Sequence, residues 1–336
     1  MPVFGSASIL PAFFLYHAQR ASRIAATALH RSPDIIARQS TLQSPKVSAR
    51  MPTNSTNAEI KAIVDDPESP ISSFAEAEKV QERVAIGAKV VYEAVRLEGE
   101  EELERTAVAL AWSALAAGLS MGFSLLAESA LTSYLPDTPW RPLIARAGYS
   151  LGFLIVILGR QQLFTENTLT VILPLLLHKN LEMVAKVLRL WSIVLSANIA
   201  GTFLFALLIA RTHFLEPSVQ RAMIEIASSH IGPGFWTIVL RALFAGWLIA
   251  LMVWMLPDAS SSRVVVILII TYVISICSLN HIIAGSTNVF VLVVLGKISI
   301  LRYVTGFFIP TLLGNIVGGV SLVAALAHGQ VLGGKK

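Results

Sequence analysis

The side chain best placed for unusual chemistry is His281. It lies in the segment 277–288 (CSLNHIIAGSTN), between two apolar runs, Val264–Ile276 and Val289–Leu295. An imidazole gains or loses its proton near neutrality, with an ordinary pKa of about 6.5. Neither run alone reaches the roughly 20 apolar residues that a helix needs to cross a bilayer. Joined they exceed it, but the join holds Asn280, His281, Gly285, Asn288 and hydroxyl residues. Irregular polar backbone at membrane depth survives only where protein buries it or a wet cavity touches it. An ionisable group at that depth marks a substrate path by default. The segment therefore reads as a broken membrane helix with His281 at the break; the plainer alternative is a buried histidine bonded to a carbonyl there. A second polar interruption, 160–167 (RQQLFTEN), splits another apolar block and brings Arg160, Thr165 and Glu166 to similar depth.

The elements that must carry these residues follow from the hydropathy pattern. Mean hydropathy is +0.68 and 54% of residues are hydrophobic, in blocks that repeat at span length. That composition points to a polytopic all-α membrane protein and away from a soluble enzyme. Spans are expected at about 106–131, 142–177 with its break, 183–210, 235–256, 264–295 with its break, and 304–327. The domain plan is a tail at 1–73, an interfacial helix at 74–105, a transmembrane domain at 106–328 and a tail at 329–336. Residues 1–50 are rich in Arg and Ser with Asp34 as their single acid, which fits either a targeting peptide or an upstream extension before Met51. Ser72 or Ser73 is a candidate cap for the interfacial helix, with Glu76 and Glu78 in its first turn. Six crossings put both termini on one side. Lys179, Lys186, Arg189, Arg263, Lys335 and Lys336 assign that side to the cytoplasm by the positive-inside rule, against a mild contrary vote from Lys297 and Arg302.

The chain also repeats itself. Asn198-Ile199-Ala200-Gly201 resembles Asn315-Ile316-Val317-Gly318, which Gly319 follows, and Ala114–Gly118 resembles Ala242–Gly246. The second and fifth spans are both broken. Three spans per half force the halves to insert in opposite directions, and paired broken helices in an inverted repeat point to a central transport site. The small residues also fit close helix packing, and Asn198, Gly201, Asn315, Gly318 and Gly319 are assigned to that packing role.

These motifs, in this order, resemble the formate/nitrite transporter family, and within it the YfdC-like branch. The carriers are Ala117-Gly118 and Gly122-Phe123, Leu163-Phe164-Thr165 with Asn167, Asn198 with Gly201, His281 with Ala284, and Gly314-Asn315 with Gly318-Gly319. The resemblance implies an aquaporin-like protomer, a homopentamer with one pore per protomer, and conduction of small monovalent anions such as formate or nitrite across a bacterial cytoplasmic membrane. It implies that His281 and Thr165 face each other in mid-pore, that an apolar constriction falls near Leu119 and Phe123, with Phe123 the better candidate and plain packing its equal alternative, and that Gly246 takes the place of an asparagine touching the histidine. Departures are Asn280 for a glutamate, Gln162 for a glutamate, His230 for a vestibule lysine, and added charges at Arg160, Glu166 and Arg241. A lone charge in a span is costly, so Glu166 is expected to pair with Arg160 or Arg241; protonation of Glu166, or a shift of selectivity toward neutral or cationic solutes, are the alternatives.

A bare anion entering a low-dielectric constriction faces an idealised penalty on the order of 20 kcal/mol. A weak acid avoids it by crossing neutral, and His281 could donate the hydrogen bond or proton that permits this, with the Thr165 hydroxyl orienting ring or substrate. Other functions find less support. The single cysteine, Cys277, makes no internal disulfide and no thiolate cluster. His178, His213, His230 and His328 are too dispersed for a metal site. No phosphate loop, nucleophile–base pair, cofactor motif or nucleic-acid patch stands out. The competing readings are a pore for a small neutral or cationic solute and a non-conducting membrane scaffold, with lipid as the surrounding partner.

Overall fold

The computed structural model describes residues 61–62, 64–65, 73–75, 77, 87–212, 214–259, 261–323 and 329. The tail at 1–60, most of 74–86 and the end of the last expected span, 324–327, lie outside the described residues. In the unit comprising Met1–Val84, the described backbone shows single helical turns, with Asp65 N donating to Lys61 O and Ala77 N to Ser73 O.

In the second unit, α1 (Ala88–Glu104) precedes the first crossing. Its buried residues Val91, Tyr92, Val95, Gly99 and Leu103 recur at helical spacing and form one stripe. That stripe meets Leu169, Leu173, Ala250 and Val253. The crossings are α2 (Ala107–Tyr134), α3 (Arg141–Leu158), which continues after a break as α4 (Phe164–Thr170) and α5 (Ile172–His178), α6 (Leu181–Arg211), α8 (Phe235–Met255), α9 (Arg263–Ile276) continued by α10 (Ile282–Val294), and α11 (Ile300–Ser321). The short α7 (Pro217–Ser228) links α6 to α8. Five of these helices are long and apolar enough to cross a membrane, and α9 and α10 are shorter apolar pieces. Starts are set by side-chain caps: Thr106 accepts from Ala109 N, Asn180 from Met183 N and Ser299 from Arg302 N.

The two breaks are made in the same way. α3 ends where Arg160 turns to φ 49°, α9 where Ser278 turns to φ 51°. Gln161 N then reaches back to Val156 O at 3.0 Å, and Leu279 N to Ile274 O at 2.9 Å. This is the six-to-one closure of a helix ending through a left-handed residue. Each interrupted span is then held by one asparagine from a neighbouring helix. Asn198 Oδ1 accepts from Phe164 N at 3.0 Å, and its Nδ2 donates to Gln162 O at 3.0 Å and Ala114 O at 2.6 Å. Asn315 Oδ1 accepts from Ile282 N at 2.8 Å, and its Nδ2 donates to Asn280 O at 2.9 Å and Ala242 O at 2.7 Å. Both asparagines are fully buried. The glycines complete the match. A Cβ on Gly246 would lie 2.5 Å from Asn315 O, and one on Gly118 would strike Asn198 O. Gly201 meets Leu115 O, Gly318 meets Leu243 O, and Gly319 meets Thr168 Oγ1. The sequence repeat is thus a repeat of hydrogen bonds and close backbone approaches.

Candidate functional site

Each break exposes its loop to a different cavity. One cavity, of about 650 Å³, is lined by α1 and by Arg160, Gln161 and Gln162 of the first break. The other, of about 320 Å³, is lined by Ser275, Ser278, Leu279 and Asn280 of the second break together with α2, α3, α7 and α8 residues. No lining residue is common to the two. Thr165 and His281 line neither, but each adjoins in the chain a lining residue of one cavity, Glu166 and Asn280 respectively. Thr165, in the first turn of α4, and His281, the N-cap of α10, are buried to 0% and 1% exposure, with Thr165 Oγ1 2.7 Å from His281 Nε2.

The protonation state of the imidazole follows from its neighbours. His281 Nδ1 accepts from Ala284 N at 3.2 Å, because a backbone N–H can only donate. Nδ1 therefore carries a lone pair, and in neutral histidine the proton sits on Nε2 and is donated to Thr165 Oγ1. The threonine hydroxyl, its acceptor capacity used in this way, keeps its own proton to offer to a solute. Placing a second proton on Nδ1 would set two donors against each other, so this geometry holds the ring as a neutral hydrogen-bond donor. Phe153 of α3 packs edge-on against the ring at 4.9 Å between centroids.

The 320 Å³ cavity is electropositive on balance: Arg141, Arg146 and Arg241 face Glu128 and Glu225. Arg146 donates to Ser275 O and to Ser278 Oγ, which fixes its head beside the second break. Asn280 is 3% exposed and its Nδ2 has no partner, leaving a buried donor at the inner end of this cavity. His230 stands nearby, with Nδ1–H donated to Ile226 O at 3.1 Å and Nε2 3.4 Å from Asn288 Nδ2. Burial pushes its pKa below the ordinary value, the Ile226 carbonyl opposes this, and the charges of Arg146 and Arg241 add to the lowering. The positive charge of this mouth thus comes from arginines and not from His230.

The 650 Å³ cavity is richer in carboxyls. Glu98, Glu101, Glu102 and Glu166 line it with Arg105, Arg160 and Arg263. Glu102 reaches from α1 to the first break and accepts from Gln162 Nε2 at 3.1 Å, Asn167 Nδ2 at 3.0 Å and Thr170 Oγ1 at 2.5 Å. Burial raises its pKa to about 7; the three donors oppose the rise and the charge of Glu98 adds to it. A carboxyl whose pKa is higher folded than unfolded stabilises the docked form most at low pH, and that contribution is lost as pH climbs toward 7. Docking of α1 is therefore expected to weaken between about pH 4.5 and pH 7, by on the order of 3 kcal/mol. Hydrogen exchange of the Ala88–Glu104 amides measures it, and Glu102→Gln should flatten the dependence.

Three expectations from the sequence need correction. No ion pair joins Glu166 to Arg160 or Arg241 among the described residues. Arg241 lines the other cavity, and Arg160 is exposed at the turn that ends α3. Leu119 and Phe123 line neither of these two cavities: they are 37% and 41% exposed, and Phe123 packs edge-to-face on Phe205, its packing alternative. Gly246 touches no pore group; it is the close approach of α8 to Asn315 described above. Phe153, Arg146 and Glu102 were not anticipated. Their significance rests on contacts with residues 60 or more positions away in the chain, which leave no local signal.

Two separate cavities and a buried hydroxyl–imidazole contact, carried by an inverted repeat of apolar helices, are features of a membrane channel or transporter. Residues 89–329 match the family described as formate/nitrite transporter. The chain belongs to that family. It is 39% identical over 251 residues to "Inner membrane protein YfdC" of Escherichia coli (strain K12), covering 75% of this chain and 81% of that protein. It is 25% identical over 215 residues to "Uncharacterized transporter YwcJ" of Bacillus subtilis (strain 168), covering 62% and 83%. Among solved structures it resembles "Pentameric formate channel with formate bound", with TM-score 0.57 and 20% identity over 67% of this chain and 98% of that one. It also resembles "FNT family ion channel", with TM-score 0.56 and 18% identity over 69% and 92%. These likenesses give the aquaporin-like helical fold.

Proposed function

We propose that the protein is a homopentameric pore, one per protomer, for small monovalent weak acids of the formate or nitrite kind, in a bacterial cytoplasmic membrane with α1 and both termini on the cytoplasmic side. The observation that carries this reading is the Thr165–His281 contact between two separate cavities. The arginine-rich mouth concentrates the anion, and the unpartnered Asn280 amide offers it a first donor. At the Thr165–His281 contact a charged solute would lose its water with only neutral donors to replace it, whereas a protonated acid loses far less. The acid takes its proton from solvent in the vestibule. His281, held neutral, supplies a hydrogen bond through Thr165 and no proton. The pentameric state of the solved formate channel supports the assembly, and the basic residues Lys179, Lys186 and Arg189 on the α1 side support the orientation.

Flux into proteoliposomes from a panel of formate, nitrite and glycerol tests the reading. At fixed total concentration, acid flux should rise about tenfold for each unit that pH falls toward the acid's own pKa, because the neutral fraction scales that way. A second reading, a pore for neutral or cationic solutes, is favoured by the acidic α1-side cavity. Glycerol flux at least equal to formate flux, with no pH dependence, would decide for it.

A further inference from the structure

The carboxylates of the α1-side cavity are arranged for something the pore reading does not use. Glu98, Glu102 and Glu166 act electrostatically on one another, and none of the three pairs with a cation among the described residues. Glu102 is satisfied by neutral donors, one of which is Gln162. With Glu102 ionised, as it is above about pH 7, the carboxylate can only accept, and the contact then fixes which way the Gln162 amide faces. Its Nε2 is spent on Glu102, and its Oε1 is left buried and without a partner. Gln162 is 6% exposed and lines the cavity beside Glu166. A buried carbonyl oxygen with no donor, next to carboxyl groups that make no ion pair among the described residues although Arg105, Arg160 and Arg263 share the cavity wall, suits a cation that carries N–H groups. The rest of the cavity narrows the class. No group of three His, Cys, Asp or Glu side chains among the described residues is placed to hold a metal ion. The walls also contribute apolar surface from Leu97, Ile157 and Val253, and a volume of about 650 Å³ suits an organic molecule.

We propose that this cavity binds a small organic dication of the primary diamine class. One ammonium sits against Glu166 and Gln162 Oε1, the alkyl chain lies on the apolar wall, and the second ammonium meets the exposed Glu98 and Glu101 at the rim. Bound there, the dication neutralises an acidic mouth that an anion must pass. The inference goes beyond the weak-acid reading and does not depend on it.

Calorimetric titration of the purified full chain in neutral detergent with 1,4-diaminobutane dihydrochloride tests it. Saturable binding is expected. The fully N-methylated analogue has the same charges and no N–H, so it should bind at least tenfold more weakly. Glu166→Gln, which breaks no ion pair, should weaken diamine binding at least tenfold. The double variant Glu98→Gln/Glu101→Gln, confined to exposed positions, should weaken it at least threefold even if the first variant folds poorly. Absence of saturable binding overturns the proposal. So does equal binding of the methylated analogue, which would mean charge screening alone, or wild-type affinity in both variants, which would leave the cavity arginines as the carboxylates' partners.

Discussion

Thr165→Val is expected to cut weak-acid flux by about tenfold or more while the protein still folds, and Thr165→Ser to restore most of it. Valine keeps the shape of threonine and removes the hydroxyl on which His281 Nε2 rests at 2.7 Å. Two things are lost together: the acceptor for the imidazole N–H, and the hydroxyl proton presented to a solute there. Leaving one buried donor unmade costs about 1–3 kcal/mol. If the solute's barrier rises by even 1.4 kcal/mol, that is about a tenfold loss of rate. The pH profile separates this account from a proton-shuttling histidine. Because Ala284 N–H occupies Nδ1, wild-type flux should track the neutral fraction of the acid with no added inflection from the imidazole. An inflection that disappears in His281→Gln would show that the ring titrates during transport, and the neutral-donor mechanism would fail.

Much of this architecture is legible in the residues. The polar interruptions at 160–167 and 277–288, and the recurrence of Asn–x–x–Gly in the third and last spans, mark the breaks and the repeat without reference to coordinates, because a bilayer permits so few backbone solutions. The meeting of Thr165 with His281 entered only with the family resemblance, and no spacing rule derives it. What failed failed for identifiable reasons. Glu166 and Arg241 look like partners because both are costly charges in spans, yet the inverted repeat sends them to opposite mouths. Phe123, beside the close-packed Gly122, reads equally as a pore aromatic or as packing, and it packs on Phe205, while Phe153 reaches the imidazole. Gly246 reads as a vacated pore position only if its repeat partner Gly118 is ignored. Glu102 lies on a charged helix where any glutamate looks solvated, and its three donors lie 60–68 positions further along the chain.

The largest loss of stability is expected from Asn315→Leu, with Asn198→Leu close behind. Leucine fills similar space but can neither accept from Ile282 N nor donate to Asn280 O and Ala242 O. The asparagine is fully buried, so water does not replace it. Two backbone groups, Ile282 N and Asn280 O, are left without partners at the point where the helix is already interrupted, while Ala242 O keeps its bond within α8, and each of the two costs about 1–3 kcal/mol when buried and unmade. Hydrogen bonds between membrane helices often measure smaller, nearer 0.6 kcal/mol, because the reference state finds other partners. Here a single side chain joins the interrupted span to α8, and no other side chain among the described residues reaches Ile282 N or Asn280 O. A loss on the order of 3 kcal/mol or more is therefore expected. The midpoint of thermal unfolding in detergent, followed by the monodisperse peak on size exclusion, reads it out. The same measurement decides what the asparagine is for. Were Asn315 a wall group that touches passing solute, the leucine variant would keep its midpoint within about 2 °C and lose only flux. As a clamp, it should fail to assemble the second break, and with it the N-cap contact of His281 with Ala284.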